Sequence, residues 1–333
     1  MIETKILSTT EENLKLAGNI IRDGGIVAFP TETVYGLGAN GMNADSVKKI
    51  FVAKGRPSDN PLILHISDIE QLYDLAEEVT EECKKLIEAF WPGPLTVVVK
   101  AKKNIPVQTR GGLDTVGIRL PQNFVAQKII ENANVPIAAP SANLSGKPSP
   151  TKYNHVIDDM QGRIDAIVCG EDCKIGVEST VISVFDENIT ILRPGKISKK
   201  EIETVLGKMV ALDRTLAGLE SEISDFKPMS PGMKYRHYAP KAEMIVVAGV
   251  GQEVDKKIAA LRLEYEKTGK KVGIMHFEYT DKNQAAHDLF DRLRQFDKED
   301  VDIILATSIA GEGIGMAVMN RMVKAAGGKV VKV

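Results

Sequence analysis

Asp45-Ser-Val-Lys-Lys-Ile-Phe-Val-Ala-Lys-Gly-Arg-Pro57, followed after two residues by Asn60-Pro-Leu-Ile-Leu-His-Ile66, decides the fold of this chain. Val47, Ile50 and Phe51 recur at helical spacing, Gly55 stands where helices stop, and Pro57 prevents resumption. Residues 61–66 then alternate as a strand, which puts His65 on the face opposite Leu62, Leu64 and Ile66. A helix that turns a fixed corner into a strand is the unit of an α/β or mixed α+β fold. Lys54 and Arg56 project from that corner and His65 overlooks it, a layout that suits an anionic ligand. Taken alone, the corner reads first as basic residues answering the carbonyls and dipole of a helix end.

Two further segments add to it. Val135-Pro-Ile-Ala-Ala139 is an apolar strand that runs through Pro140 into Ser141-Ala-Asn-Leu-Ser-Gly146. At a strand end in an open α/β sheet such a loop offers amides and hydroxyls where ligands bind, although Ser, Asn and Gly also favour ordinary turns. In Thr115-Val-Gly-Ile-Arg-Leu-Pro121 strict alternation puts Thr115, Gly117 and Arg119 on one face, the glycine leaving room beside the arginine. Burying that guanidinium requires an anion, either a ligand's carboxylate or phosphate or an internal Asp or Glu.

The rest of the chain is read in the same way. Thr9 and Glu12 form a capping box before a helix with the stripe Leu14, Ala17 and Ile21, and residues 25–30 make a buried strand. Strands are expected at 95–100, 115–120, 135–139, 165–169, 177–184 and 189–193, helices at 69–90 and 123–133, and a second capping box at Ser198 and Glu201 opens a helix ending near Gly207. Residues 208–240 break the pattern with Pro228, Pro231 and Pro240, yet carry Tyr235, Arg236, His237 and Tyr238 in succession, more than a plain spacer needs. Beyond them, strands at 244–247, 271–275 and 302–306 alternate with helices, which suggests a small Rossmann-like parallel sheet. Gly311-Glu-Gly-Ile-Gly315 lacks the spacing of a dinucleotide fingerprint and reads as a turn or helix start, and no Walker A motif occurs.

With 333 residues, 43% of them hydrophobic, the chain has material for two cores, and its formal net charge of −2 provides no global basic field for nucleic acid. Cys83, Cys169 and Cys173 are too few for a disulfide scaffold and lack zinc partners, the opening residues carry no apolar signal-type run, and no stretch is long and apolar enough to span a membrane. A cytoplasmic protein is expected, with no membrane contact and no resident metal.

Pro30-Thr-Glu-Thr-Val-Tyr-Gly36, Lys54-Gly-Arg-Pro57, Ser141-Ala-Asn143 and Arg193-Pro-Gly195, in this order, resemble the threonylcarbamoyl-AMP synthase family, the Sua5/YrdC group, and the tail resembles its long two-domain form. The resemblance implies a YrdC-like twisted-sheet catalytic domain at 1–207, a linker at 208–240 that folds over the active site, and a smaller C-terminal α/β domain at 241–333. It implies that L-threonine, bicarbonate and ATP, with Mg²⁺ carried on the nucleotide, give threonylcarbamoyl-AMP and diphosphate. The product would pass to a transferase for N6-threonylcarbamoylation of adenosine 37 in tRNA, with direct tRNA contact left open. By the same resemblance Thr33, His65, Arg119 and Ser179 surround threonine, while Arg56, Asn60, Thr115, Ser141, Asn143, Ser149, Arg193 and Tyr235 attend ATP. Lys54 and Arg56 are the residues expected to neutralise phosphate charge in catalysis, and Glu32 and Glu178 receive no role. Two other classes stand against this reading: a non-enzymatic RNA-binding or ribosome-maturation factor, and a carbamoyl-transfer domain of the hydrogenase-maturation kind, which ordinarily carries acylphosphatase-like and zinc-finger regions absent from this sequence.

Overall fold

Two sheets organise residues 2–58, 60–186, 188–217, 237–277, 281–309 and 311–333, the parts of the chain that this computed structural model describes. The larger is formed by β1 Lys5–Leu7, β2 Val27–Phe29, β3 Gly36–Asn40, β4 Ile63–His65, β5 Leu95–Lys100, β6 Thr115–Arg119, β7 Ile137–Ala138, β8 Ala166–Val168, β9 Thr180–Ser183, β10 Thr190–Arg193 and β11 Ala211–Leu212. Their order is β1-β8-β2-β3-β7-β4-β6-β5-β9-β10-β11, a mixed sheet in which β4 lies parallel to β6, and β5 parallel to β9. Its helices are α1 Glu11–Arg22, α2 Ala44–Lys54, α3 Glu70–Leu75, α4 Glu81–Phe90, α5 Val107–Arg110, α6 Phe124–Ala133, α7 Tyr153–Met160 and α8 Lys199–Leu206. The smaller sheet is all parallel, β12 Glu243–Ala248, β13 Val272–Met275, β14 Ile303–Thr307 and β15 Val330–Lys332 in the order β13-β14-β12-β15. Helices α9 Gln252–Lys267, α10 Lys282–Lys298 and α11 Ile314–Ala325 connect its strands.

The two faces of the large sheet are covered unequally, and this creates the site. One face carries the main core, in which Leu62, Leu64, Val97, Val116 and Ile118 pack with Val47, Ile50 and Phe51 of α2 and Ile202 of α8. On the other face α1 and α6 cover β2, β7 and β8 through Leu14, Ala17, Ile21, Ala126, Ile129 and Ile130 against Val27, Phe29, Ile137 and Ala166. Beyond those helices the same face presents Ile63, His65, Gly117 and Arg119, paired Ile63 to Gly117 and His65 to Arg119 in register. The alternation of β4 thus sends three apolar side chains to the core and its histidine to the uncovered side.

The corner after α2 forms as its sequence requires. Gly55 adopts the left-handed conformation, φ 62° and ψ 42°, that glycine reaches without a Cβ penalty, and Gly55 and Arg56 donate back to Val52 and Phe51 carbonyls. Other expectations need correction. Thr10, not Thr9, precedes α1, and it makes no capping side-chain bond. The single helix expected over 69–90 is two, because Ala76 is extended and bridges Ala101, and the Thr80 hydroxyl then caps a fresh start at Cys83 N–H. The box at Ser198 and Glu201 is present in full, and Gly207 ends α8 at φ 67°. Within the stretch read as linker, β11 extends the first sheet beside β10.

The two sheets meet through a shared core: Val34 and Val177 pack with Tyr238, Met244, Phe290 and Val318, and Tyr238 stacks on Phe290 at 5.2 Å. Polar contacts flank it, with Asp291 of α10 accepting from Lys152 Nζ at 3.0 Å and lying 2.9 Å from His155 Nε2. At Gly176, φ +85°, a Cβ would fall 2.3 Å from Ala286 O and 2.4 Å from His287 Cα of α10. Gly176→Ala is therefore expected to force the two parts apart and to destabilise the protein by about 2 kcal/mol or more, read as a lowered melting temperature; an unchanged melt would show that the contact is not close in solution.

Candidate active site

A cleft on the uncovered sheet face encloses about 740 Å³, its open mouth included, and gathers Thr33, Lys54, Arg56, His65, Arg119, Ser141, Asn143, Lys147, Ser149, Glu178, Ser179 and Arg193, with His237 and Tyr238 over them. Five of these side chains are cations and one is a carboxylate, so the cleft selects for anions. Its lining gathers at strand ends: His65 and Arg119 are the last residues of β4 and β6, Arg193 is the last of β10, and Ser141 and Asn143 follow β7. Of the residues assigned from the sequence, Asn60 and Thr115 are buried but stand at the opposite ends of β4 and β6 from His65 and Arg119, and neither lines the cleft. Tyr235 falls outside the described residues.

Arg119 is held on all three sides. Its Nε donates to Gly93 O at 3.2 Å and its Nη1 to Thr33 Oγ1 at 2.9 Å, while Nη2 lies 2.6 Å from Glu32 Oε1. The internal carboxylate that a buried arginine demands is therefore Glu32, whose place in Pro-Thr-Glu-Thr gave no hint of it. Thr31 ties the loop that brings these groups together: its hydroxyl donates to Val34 O at 2.7 Å, so the proton in the 2.8 Å contact between Thr31 and Thr33 hydroxyls comes from Thr33. That leaves Thr33 Oγ1 as the acceptor Arg119 needs.

His65 is uncharged here. Burial, with the Arg119 charge beside it, pulls its pKa down to about 3, and Nδ1 lies 3.2 Å from Ile63 O. Assigning the proton to Nδ1 to satisfy that carbonyl makes Nε2 an acceptor.

Lys54 has a different task from a free phosphate clamp. Its Nζ donates to Ser141 O at 2.5 Å and Asn143 O at 2.6 Å, while its own carbonyl accepts from Ser145 N at 2.9 Å. The carbonyls it answers thus belong to the distant loop after β7 and not to its own helix, and the third ammonium donor remains for an anion. Burial and then the Arg56 charge hold its pKa well below that of an ordinary lysine. Within the loop, Ser141 Oγ donates to Asn143 Oδ1 at 2.5 Å and Asn143 Nδ2 donates to Leu144 and Lys147 carbonyls, so Asn143 braces the turn.

Arg193 reaches the cleft through a shift in register. Ile191 pairs with Ile182 and Arg193 with Val181, so Leu192 is the extra residue of a bulge that turns Arg193 to the Val181 face. There Nε and Nη2 donate to Ser179 O and Oγ, each at 3.1 Å. Burial pulls Arg193 down to about 10, still cationic at neutral pH. Glu178 accepts from Ser149 Oγ at 2.6 Å; burial pushes its carboxyl up, but the charges of Arg321 and Arg193 and the Ser149 bond outweigh that and hold it low.

Residues 19–195 match the family model described as telomere recombination, Sua5_yciO_yrdC, and residues 197–327 match the model of the threonylcarbamoyl-AMP synthase C-terminal domain. Threonylcarbamoyl-AMP synthase of Pyrococcus abyssi is 46% identical, over 97% of this chain and 96% of that protein. The Bacillus subtilis protein of that name is 45% identical, over 99% and 97%. The crystal structure of P. abyssi Sua5 complexed with L-threonine superposes with a TM-score of 0.94 at 45% identity, covering 99% of this chain and 100% of that one. Escherichia coli YciO, at 23% identity, TM-score 0.52 and 59% of this chain against 96% of that one, shares the fold of the larger sheet.

Three histidines, His65 and His155 buried and His237 half-buried, give the protein a pH signature. His65 and His237 are lowered to about 3 and His155 to about 4, each with burial as the main cause. With an unfolded value of about 6.5, the unfolded chain binds more protons below that pH, so stability is complete above it and falls as pH drops toward the folded values. Each histidine withdraws at most about 2 kcal/mol by pH 5. Melting temperature is expected to fall between pH 7 and pH 5, and to fall less in His65→Gln; a flat profile would mean that the imidazoles are protonated in the fold.

Proposed function

The chain belongs to the threonylcarbamoyl-AMP synthase family, and we propose that its cationic cleft is where L-threonine, bicarbonate and ATP become threonylcarbamoyl-AMP and diphosphate. The protein is an enzyme for threonylcarbamoyl-AMP synthesis, which we read as a nucleotidyl transfer. The observation that carries the site assignment is the cleft lining, five cations and one carboxylate closing on a fixed guanidinium and a neutral imidazole. In this reading the threonine carboxylate lies against Arg119, and Nε2 of the neutral His65 accepts a hydrogen bond from the substrate's hydroxyl or amine. Thr33 and Ser179 complete that end.

The amine must be neutral to attack CO₂, releasing one proton to solvent, or bicarbonate, with loss of water; a carbamate oxygen then attacks the α-phosphorus in line as the bond to diphosphate breaks. No covalent nucleophile is required, and the chain's part is positioning and charge. Arg56, Arg193 and the remaining donor of Lys54 meet the polyphosphate. Ser141, Asn143 and the loop backbone flank it, with Asn60 and Thr115 outside the first contact layer. Ser149 spends its proton on Glu178 and so offers only lone pairs, which suits a ribose or adenine donor better than a phosphate. Among the described residues no group of three or more His, Cys, Asp or Glu could hold a metal ion. In this proposal Mg²⁺ would arrive on the triphosphate and neutralise charge there. We place the reaction in the cytoplasm, with the labile product passed to a tRNA threonylcarbamoyl transferase. No helix among the described residues is long and apolar enough to cross a membrane.

The test is diphosphate release by purified protein with ATP and Mg²⁺. It is expected to require both L-threonine and bicarbonate; release with neither, or none at all, overturns the proposal. Arg119→Ala is expected to raise the threonine KM at least tenfold, the loss of about 1.5–3 kcal/mol typical of a charged hydrogen bond, with the ATP KM little changed. An unaltered threonine KM would remove the carboxylate from Arg119.

A further inference from the structure

We propose that Arg321, in the C-terminal domain, is a positioning residue of the nucleotide site, because it neutralises Glu178, the one carboxylate among the described residues that line the cleft. The inference rests on the reading that the cleft takes a nucleotide. Arg321 is 0% exposed, and Glu178, at 7%, lines the cleft. Arg321 Nε donates to Glu178 Oε2 at 3.1 Å, Nη1 to the Pro194 carbonyl and to Ala317 O, and the guanidinium lies 6.0 Å from the Tyr238 ring centre. One side chain from α11 therefore touches the carboxylate, the peptide that follows Arg193, and the aromatic residue that closes the cleft.

The arrangement needs an explanation because an acid beside a polyphosphate is repulsive. Glu178 is nevertheless used: it fixes the Ser149 hydroxyl at 2.6 Å. Arg321 lets the cleft keep that hydrogen bond without keeping the negative charge that a bare carboxylate would present to phosphate. A second arginine repeats the pattern one helix away. Arg294 of α10 donates to Asp159 Oδ2 at 2.7 Å and to Pro148 O at 2.6 Å, and Asp159 also pairs with Lys147 at 2.9 Å. The Pro148 contact falls on the segment from Lys147 to Ser149, Asp159 holds that segment through Lys147, and Arg321 acts on its partner Glu178. The smaller domain thereby fixes the charge and backbone of the nucleotide loop in the larger one.

The decisive variants are Arg321→Met, Glu178→Gln and the two combined, in the full chain, with ATP binding measured by titration and diphosphate release measured for both KM values. Wild-type protein that binds no ATP would defeat the underlying reading and not this one. Given wild-type binding, Arg321→Met is expected to weaken ATP at least tenfold with the threonine KM within about twofold, and Glu178→Gln in that background is expected to restore ATP binding to within about threefold of Glu178→Gln alone. A merely structural arginine would lower both substrates together and would not be rescued by removing the acid, and either result overturns the proposal. Should Arg321→Met fail to fold, Arg321→Lys keeps the charge and is expected to hold ATP affinity within about threefold; a tenfold loss there counts against neutralisation.

Discussion

Everything about this site depends on keeping Lys54, Arg56, Arg119, Lys147 and Arg193 together in one cleft at tolerable cost. Like charges in a partly dry space repel strongly, and each must be answered before any ligand arrives. The fold answers Lys54, Arg119, Lys147 and Arg193 one at a time. Lys54 is met by two loop carbonyls, Arg119 by Glu32 with Gly93 and Thr33, Lys147 by Asp159, and Arg193 by Ser179 with Glu178 nearby. Because most of those answers are dipoles rather than full anions, net positive charge remains for a polyphosphate to use.

The same constraint explains why the active face of the sheet cannot be packed like the other. α1 and α6 bring apolar side chains over β2, β7 and β8, whereas His65 and Arg119 would be unsatisfied beneath such a layer. Cover comes instead from His237, Tyr238 and the smaller domain, with a mixed interface of aromatic stacking, an Asp291 that serves Lys152 and the neutral His155, and two buried arginines. The C-terminal sheet is in this sense a polar lid support as much as a separate core.

Much of this was legible in the sequence. The corner at Gly55, the alternation of residues 61–66 and 115–120, the box at Ser198 and Glu201 and the three strands at 244–247, 271–275 and 302–306 all follow local rules that the structure obeys. β3 escaped because Gly-Leu-Gly-Ala-Asn has little strand propensity; its glycines are there for close packing, a Cβ at Gly38 falling 2.6 Å from Phe29. Partners distant in sequence were invisible, which is why Lys54 read as a helix-end residue and Glu32 and Glu178 as acids without a task. Arg321 did leave a signal. It occupies a position of the apolar stripe Ile314, Ala317, Val318, Met322 and Ala325, where a charge survives only with a buried counterpart. Arg294 does the same beside Leu289, Phe290 and Leu293.

The bulge at Leu192 converts chain length into orientation. Substitutions along β10 can be absorbed by repacking, but the same residues paired in simple alternation, without the bulge, would put Arg193 on the face of Ile191, in the main core and away from Ser179. The segment between Ile191 and Gly195 is therefore constrained in its pairing register as well as in the identity of its residues. A change that straightens the bulge is a functional lesion even where every side chain of the cleft is retained.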